Sequence, residues 1–234
     1  MRKLPLDVIA FTDPNSIIAE QYRTARTNIE ALREQNKLKT LFLTSANSGE
    51  GKTTTALNLA VIFARSGKKV LLVDCDLRKH SLTDNFHLTN SIGLVGVIEE
   101  RCNLSDAIFE TNASNLYVLP SGRSVKNPAE LLLNVQLDGT IEQMKTEFDL
   151  ILFDTPPVEE VTDALILSQK LDGSILIVRE NYSKKDAVKR AKDALDNMKA
   201  NCLGLIHNDI AMSKIGRYQY GYGIKRKGLF GFGG

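Results

Sequence analysis

The chain has 234 residues, 43% hydrophobic and 25% charged, with a formal net charge of +2, the profile of one large globular domain. No apolar run approaches the roughly 20 residues that span a bilayer, and the opening MRKLPLDVIAFTDPNS is too interrupted for a signal peptide, so a cytoplasmic protein is expected. Three widely spaced cysteines, with no histidines at metal-ligand spacing, argue against a disulfide framework and a zinc site.

In chain order, the first element is a polar amphipathic segment from Asp13 to Gln35. Asp13-Pro14 stand in the order of an N-cap and a first helical proline, which predicts a helix. Residues 1–36 are expected to form a helical segment of the same domain as a core over residues 37–211. Strand-length apolar runs then alternate with helical patterns. The runs are KTLFLTS (39–45), KKVLLVD (68–74), LYVLPS (116–121), DLILFD (149–154), GSILIV (173–178) and LGLIHN (203–208), with helices after Lys52, within Pro128 to Glu147, and between the later strands. Continuous apolar strands imply a sheet covered on both faces, hence a doubly wound α/β fold with a mainly parallel sheet.

The last segment, residues 212–234, is a tail rich in glycine, tyrosine and basic residues. Three of the six tyrosines, Tyr218, Tyr220 and Tyr222, lie within it, in sequence too rich in glycine to bury them. Lys214, Arg217, Lys225, Arg226 and Lys227 meet no acid there, which leaves 25 basic against 28 acidic residues in the rest. Charge alone does not choose among nucleic acid, anionic lipid and an acidic protein pocket as the partner of such an arm.

Residues 46–53, ANSGEGKT, match the phosphate-loop pattern at Gly51, Lys52 and Thr53, with Ala46 in place of the first glycine. Such a loop turns successive N–H groups toward phosphate oxygens at a helix N-terminus. Ser48, Gly49, Glu50, Gly51, Lys52, Thr53 and Thr54 are therefore expected to hold ATP. Lys52 would neutralise the β and γ phosphates, and the Thr53 hydroxyl would meet magnesium.

Two further strands end in carboxylates: VLLVDCD carries Asp74 and Asp76, and LILFD carries Asp154. One strand-end aspartate is as often a turn residue, but three beside a phosphate loop favour Mg²⁺, which takes one or two carboxylates plus phosphate. Thr53 and Asp154 are placed around the metal. Asp76 assists the metal or its waters, and Asp74 is the candidate base, although these last two roles are exchangeable. Asn208, ending the strand LGLIHN, either reads the adenine edge or completes a turn. His80 and His87 read as surface histidines.

The ordered set SANSGEGKTT, VLLVDCDLRK, LILFDTPP, KNPAELL, EQYRTARTNI and the C-terminal tyrosine cluster resembles the bacterial tyrosine kinases of the capsular and exopolysaccharide type, over about residues 16–223. Asp74 with Asp76 match that family's Walker A′ motif, and Asp154 its Walker B. The resemblance implies a non-specific protein-tyrosine kinase that phosphorylates Tyr218, Tyr220 and Tyr222 in trans. It also implies control of polysaccharide polymerisation or export, and a separate transmembrane activator that brings the chain to the inner face of the membrane. A cognate phosphotyrosine phosphatase and other protein substrates complete the expected partners, with no nucleic acid among them.

Glu20, Arg23 and Arg26 are spaced by three, which by itself describes a solvated, ion-paired helix face. The resemblance instead implies an intersubunit contact that builds a homo-oligomeric ring. The alternative is an ATP-switched ATPase of the kind that partitions plasmids or places the septum. It shares the fold but carries a signature lysine where Asn47 stands here.

Overall fold

The structure, a computed structural model, describes residues 3–88 and 92–210. Its elements run α1 (Ile9–Thr12), α2 (Ile17–Asn36), β1 (Thr40–Ser45), α3 (Lys52–Arg65), β2 (Val70–Asp74), α4 (Ser81–Asn85), α5 (Leu94–Ile98), α6 (Leu104–Ala107), β3 (Phe109–Glu110) and β4 (Leu116–Leu119). They continue with α7 (Pro128–Leu133), α8 (Val135–Glu147), β5 (Leu150–Asp154), α9 (Asp163–Leu167), β6 (Gly173–Arg179), α10 (Lys185–Asn197) and β7 (Cys202–Asn208).

The strands form one sheet in the order β3-β4-β2-β5-β1-β6-β7. Every pairing is parallel except that of the two-residue edge strand β3 with β4. Leu, Val, Ile and Phe fill both faces of β1, β2 and β5, whose residues are buried throughout. One apolar layer centres on Phe42, Leu71, Phe153 and α8, the other on Leu41, Leu72 and α3. This is the doubly wound architecture expected from continuous apolar strands. β7 departs from it: Leu205 on this edge strand is 60% exposed.

Register decides what meets at the carboxyl edge. Asp74 lies directly opposite Asp154 across the β2–β5 pair, and β1, which leads into the phosphate loop, pairs with the other side of β5. The strand order thus sets Asp154 between the loop and Asp74, at the edge where parallel sheets bind ligands.

The N-terminal helix begins later than Asp13-Pro14 suggested. Asp13 closes the short α1, and Ser16 caps α2, its hydroxyl accepting from the Ala19 N–H at 3.1 Å. Pro14 instead gives its carbonyl to Arg23. α2 packs along α3 through Ile29, and Ala10 donates its N–H to Asn58 Oδ1 at 2.9 Å, so this segment is built onto the nucleotide-loop helix. The stretch Pro128 to Glu147 is two helices, broken at Asn134, whose side chain caps α8 through the Gln136 N–H at 3.0 Å. Among the described residues no helix is long and apolar enough to cross a membrane. All three cysteines are free.

Candidate nucleotide and phosphoryl-transfer site

A cleft of about 570 Å³ opens at the carboxyl edge of the sheet, lined by Ser48, Gly49, Gly51, Lys52, Thr53, Thr54, Asp76, Lys79, Arg179 and Asn208 among others. A larger groove, about 1180 Å³, runs between α2, β7 and residues 5–9 and touches the loop only at Thr54. The smaller cleft is the candidate site, because there the α3 N-terminus meets a lysine and a carboxylate.

Two loop glycines adopt the left-handed conformation that spares them steric cost, Gly49 at φ 79° and Gly51 at φ 90°. Gly51 precedes Lys52, the first residue of α3, so backbone N–H groups are aimed into the cleft at a helix N-terminus. Lys52 is largely buried and donates to the Ser45 hydroxyl at 3.0 Å. Burial pulls its pKa down, against the opposing attraction of Asp154, Asp76, Glu50 and Glu160.

Asp154 is almost fully buried, and its Oδ2 accepts the Thr53 hydroxyl at 2.6 Å. Its Oδ1 is buried without any hydrogen-bond partner. Leaving such an oxygen unmade is costly, so the geometry has room for one further donor or cation. Burial pushes the Asp154 carboxyl up to about 8, with the charge of Asp74 adding to the effect and the Thr53 hydroxyl and Lys52 opposing it.

Asp74 has a different setting. Its Oδ2 accepts the Thr83 hydroxyl at 2.6 Å and the Thr83 N–H at 2.9 Å, and its Oδ1 accepts the Asp76 N–H at 3.2 Å. Burial still raises it to about 6, against the Thr83 hydrogen bonds. A hydrogen-bonded chain continues from Thr83 through the Ser121 hydroxyl to His80, whose other ring nitrogen meets Ser124. His80 is therefore half-buried and engaged, unlike the surface histidine expected; His87 is exposed. Of the two motif aspartates, Asp76 faces the cleft, with its Oδ1 also accepting the Lys79 N–H at 3.0 Å.

Two expected ligand-holding residues do something else here. The Glu50 carboxylate is fully buried behind the loop, accepting from the Asn47 N–H at 3.0 Å and from the Ser183 hydroxyl, so only its backbone belongs to the cradle. Asn208 donates from Nδ2 to the Glu50 carbonyl at 3.1 Å, close enough that a side chain at Gly51 would collide with it. Thr54 lines the cleft's side. Glu20 and Arg23 pair along α2 at 2.6 Å, the pattern of an ion-paired helix face; Arg26 is half-buried beyond them. Tyr218, Tyr220 and Tyr222 lie outside the described residues.

Sequence reading passed over Arg179, Lys79, Glu160 and the Arg78–Asp163 pair. Arg179 donates to the Gly49 carbonyl at 3.0 Å, and Glu160 accepts the Ser48 N–H at 2.6 Å beside Lys79. Arg78 forks onto the buried Asp163 through two bonds of 3.0 Å, pinning the segment after β2 to α9. A lysine and an arginine following the double aspartate, in DLRK, were the available signal.

Comparison with known proteins places the chain in a family. Residues 38–200 match the AAA domain family. The tyrosine-protein kinase YwqD of Bacillus subtilis is 43% identical over 223 residues, covering 95% of this chain and 94% of that protein. The chain belongs to the bacterial tyrosine kinases. Among solved structures, the chimerical protein CapA2B2 superposes with a TM-score of 0.83 at 31% identity, over 90% of this chain and 95% of that one. The septum site-determining protein MinD of Pyrococcus horikoshii, complexed with Mg-ADP, is more distant, with a TM-score of 0.61 at 26% identity over 76% of each chain. The protein is thus a tyrosine kinase on a phosphate-loop ATPase fold.

Proposed function

We propose that the chain is an ATP- and Mg²⁺-dependent protein-tyrosine kinase whose readiest substrate is the tail of a neighbouring copy, phosphorylated at Tyr218, Tyr220 and Tyr222. The observation that carries the reading is the buried, unpartnered Oδ1 of Asp154, next to the Thr53 hydroxyl at the start of α3. Thr53 and Asp154 would hold a Mg²⁺, with Asp76 nearby to assist. Mg²⁺ characteristically takes one or two carboxylates plus phosphate, which suits this donor set. Bound Mg²⁺ would supply charge neutralisation for the β and γ phosphates.

The chain's own groups do the rest by position. Gly49 and Gly51 let loop N–H groups approach phosphate oxygens, and Lys52 lies where it can leave Ser45 for a phosphate. Asp76 faces the cleft and so takes the place of the base that accepts the phenolic proton. Asp74, held by Thr83 and the Asp76 N–H, fixes that segment instead. The Asn208 side chain, beside both loop and cleft, serves the base of the nucleotide only by leaving the Glu50 carbonyl.

In this reading Glu20, Arg23 and Arg26 contribute to a homo-oligomeric ring that brings one tail to the next cleft. A transmembrane activator recruits the chain to the inner face of the membrane, a phosphatase resets the tail, other protein substrates are modified, and capsular or exopolysaccharide polymerisation or export is the process controlled. The test is phosphate mapping by mass spectrometry after incubation with Mg-ATP, with and without the cytoplasmic segment of the activator. Wild type acquires tail phosphotyrosine, whereas Lys52→Met and the triple Tyr218, Tyr220, Tyr222→Phe variant do not. ATP turnover without tail phosphotyrosine in the activated reaction would overturn the reading in favour of a nucleotide switch.

A further inference from the structure

We propose that Tyr182 is a further phosphoacceptor, and that a phosphate on it loosens the phosphate loop and weakens nucleotide binding. The proposal rests on the reading that one copy of the kinase modifies tyrosines of another.

Three tyrosines fall within the described residues. Tyr22 and Tyr117 are half-buried, the latter packed edge-on against Phe148 with ring centroids 5.5 Å apart. Tyr182 is 53% exposed, so its ring can be reached by a second protein without unfolding the core. It sits in the turn that follows β6, where Asn181 at φ 56° reverses the chain. The Tyr182 and Ser183 N–H groups both donate to the Arg179 carbonyl, at 3.2 and 3.0 Å, which makes the turn a firm mount.

From this mount a set of side chains reaches three successive loop residues. The Tyr182 hydroxyl donates to the Ser48 carbonyl at 3.1 Å, Arg179 Nη1 donates to the Gly49 carbonyl at 3.0 Å, and the Ser183 hydroxyl donates to the buried Glu50 carboxylate. Asn208 completes the latch at the Glu50 carbonyl. The Arg179 guanidinium also lies 5.3 Å from the Tyr182 ring centre, so the ring and the cation support one another. Among the described residues one hydrogen bond, to the Ser48 carbonyl, and the Arg179 contact hold the exposed phenol, so swinging it out costs little.

Transfer would proceed as at the tail. The Tyr182 oxygen of one copy attacks the γ-phosphorus of ATP held by another, and the new O–P bond forms as the bond to the bridging oxygen breaks. The electron pair leaves with ADP, and the phenolic proton passes to the acting copy's cleft carboxylate. The product has lost its O–H donor and carries about −1.5 to −2 charge. That charge would repel the Ser48 and Gly49 carbonyl oxygens and draw Arg179, a bidentate partner for phosphate, away from Gly49. Lys184 and Lys185 follow in sequence and add to the pull. Two of the latch's contacts would go together, leaving a loop less able to hold its glycines in the left-handed conformation that phosphate binding needs.

Two measurements on the full-length chain test this. The first maps phosphopeptides in wild type, Lys52→Met and Tyr182→Phe after Mg-ATP treatment of phosphatase-cleared protein with the activator segment present. Label is expected at Tyr182 in wild type and absent there in the other two. Label on the tail without label at Tyr182 overturns this proposal and leaves the tail reading standing. Label at Tyr182 without tail label supports it and removes the tail reading, and label at neither overturns both. The second introduces phosphotyrosine at position 182 by genetic encoding and titrates the protein with a fluorescent ADP in the presence of Mg²⁺. At least tenfold weaker binding than in the unmodified chain is expected; unchanged affinity overturns the regulatory half of the proposal.

Discussion

Gly51 and Asn208 set the tolerance of the phosphate loop more sharply than any charged residue does. Gly51 holds φ 90°, and an added Cβ would run into the Asn208 amide nitrogen. Left-handed backbone at a non-glycine costs about 1–3 kcal/mol, before any collision is counted. Gly51→Ala should therefore reduce Mg-ADP affinity at least tenfold, and Gly51→Ala with Asn208→Ala should recover the steric part only. A titration showing wild-type affinity for the single variant would remove the loop from the binding site. Asp154 makes the complementary case. Asn at that position keeps the size and an acceptor for Thr53 but loses the charge, so Mg²⁺-dependent nucleotide binding should weaken by more than the Mg²⁺-independent part, as a comparison with and without chelator would read.

At the scale of elements, polar side chains at the amino edge of the sheet hold β1, β6 and α2 in place. Asp172 accepts the N–H groups of Lys39 and Thr40, each at 2.8 Å, and its own N–H goes to the Thr40 hydroxyl at 2.9 Å. Burial acts to raise its pKa, but these backbone donors, the Thr40 hydroxyl and Lys145 outweigh it and hold the carboxyl below its ordinary 3.8. A depressed folded-state pKa contributes stability that is full above the ordinary value and lost as pH falls through the folded one. Asp172→Asn should then cost about 1–2 kcal/mol at pH 7 by urea unfolding, and the gap from wild type should close below pH 3.8.

Arg33 plays a similar part for α2. Its guanidinium donates to the carbonyls of Leu38 and Asp149, at 3.1 and 2.8 Å, and pairs with Glu30. Arg33→Met keeps the stem and strips these bonds, so about 1–3 kcal/mol of stability should be lost. An unchanged urea midpoint would mean α2 is held by its apolar face alone.

Much of this architecture was legible in the sequence because its signals are local. The apolar runs ending at Ser45, Asp74 and Asp154 each declared a buried parallel strand, and the Gly51-Lys52-Thr53 run declared the tight turn into α3. Where the reading slipped, a tertiary contact had decided the matter. Asp13-Pro14 has the pattern of a helix start, yet Arg23 takes the Pro14 carbonyl and Ser16 does the capping. Glu50 reads as a loop residue facing phosphate, yet Asn47 and Ser183 turn its carboxylate inward. The part played by Arg179 and Tyr182 depends on β6 lying beside β1, a pairing that no stretch of either strand announces.

For the molecule as a whole, the proposed function depends on how copies meet. Glu20 and Arg23 pair within one helix here, at 2.6 Å, and Arg23 also holds the Pro14 carbonyl, an arrangement that would pre-order both for the proposed interface. Arg23→Glu with Arg26→Glu should convert the assembly to monomers in light scattering while circular dichroism stays that of wild type. An unchanged mass would separate these residues from assembly.

If one copy's cleft phosphorylates another copy's tail, a mixing experiment will show it. A Lys52→Met chain, inactive but with an intact tail, is combined with an active chain whose Tyr218, Tyr220 and Tyr222 are Phe, and Mg-ATP and the activator segment are added. Phosphotyrosine is expected on the tail of the Lys52→Met chain. Its absence, with wild-type chains labelling their own tails in the same reaction, would contradict transfer between copies.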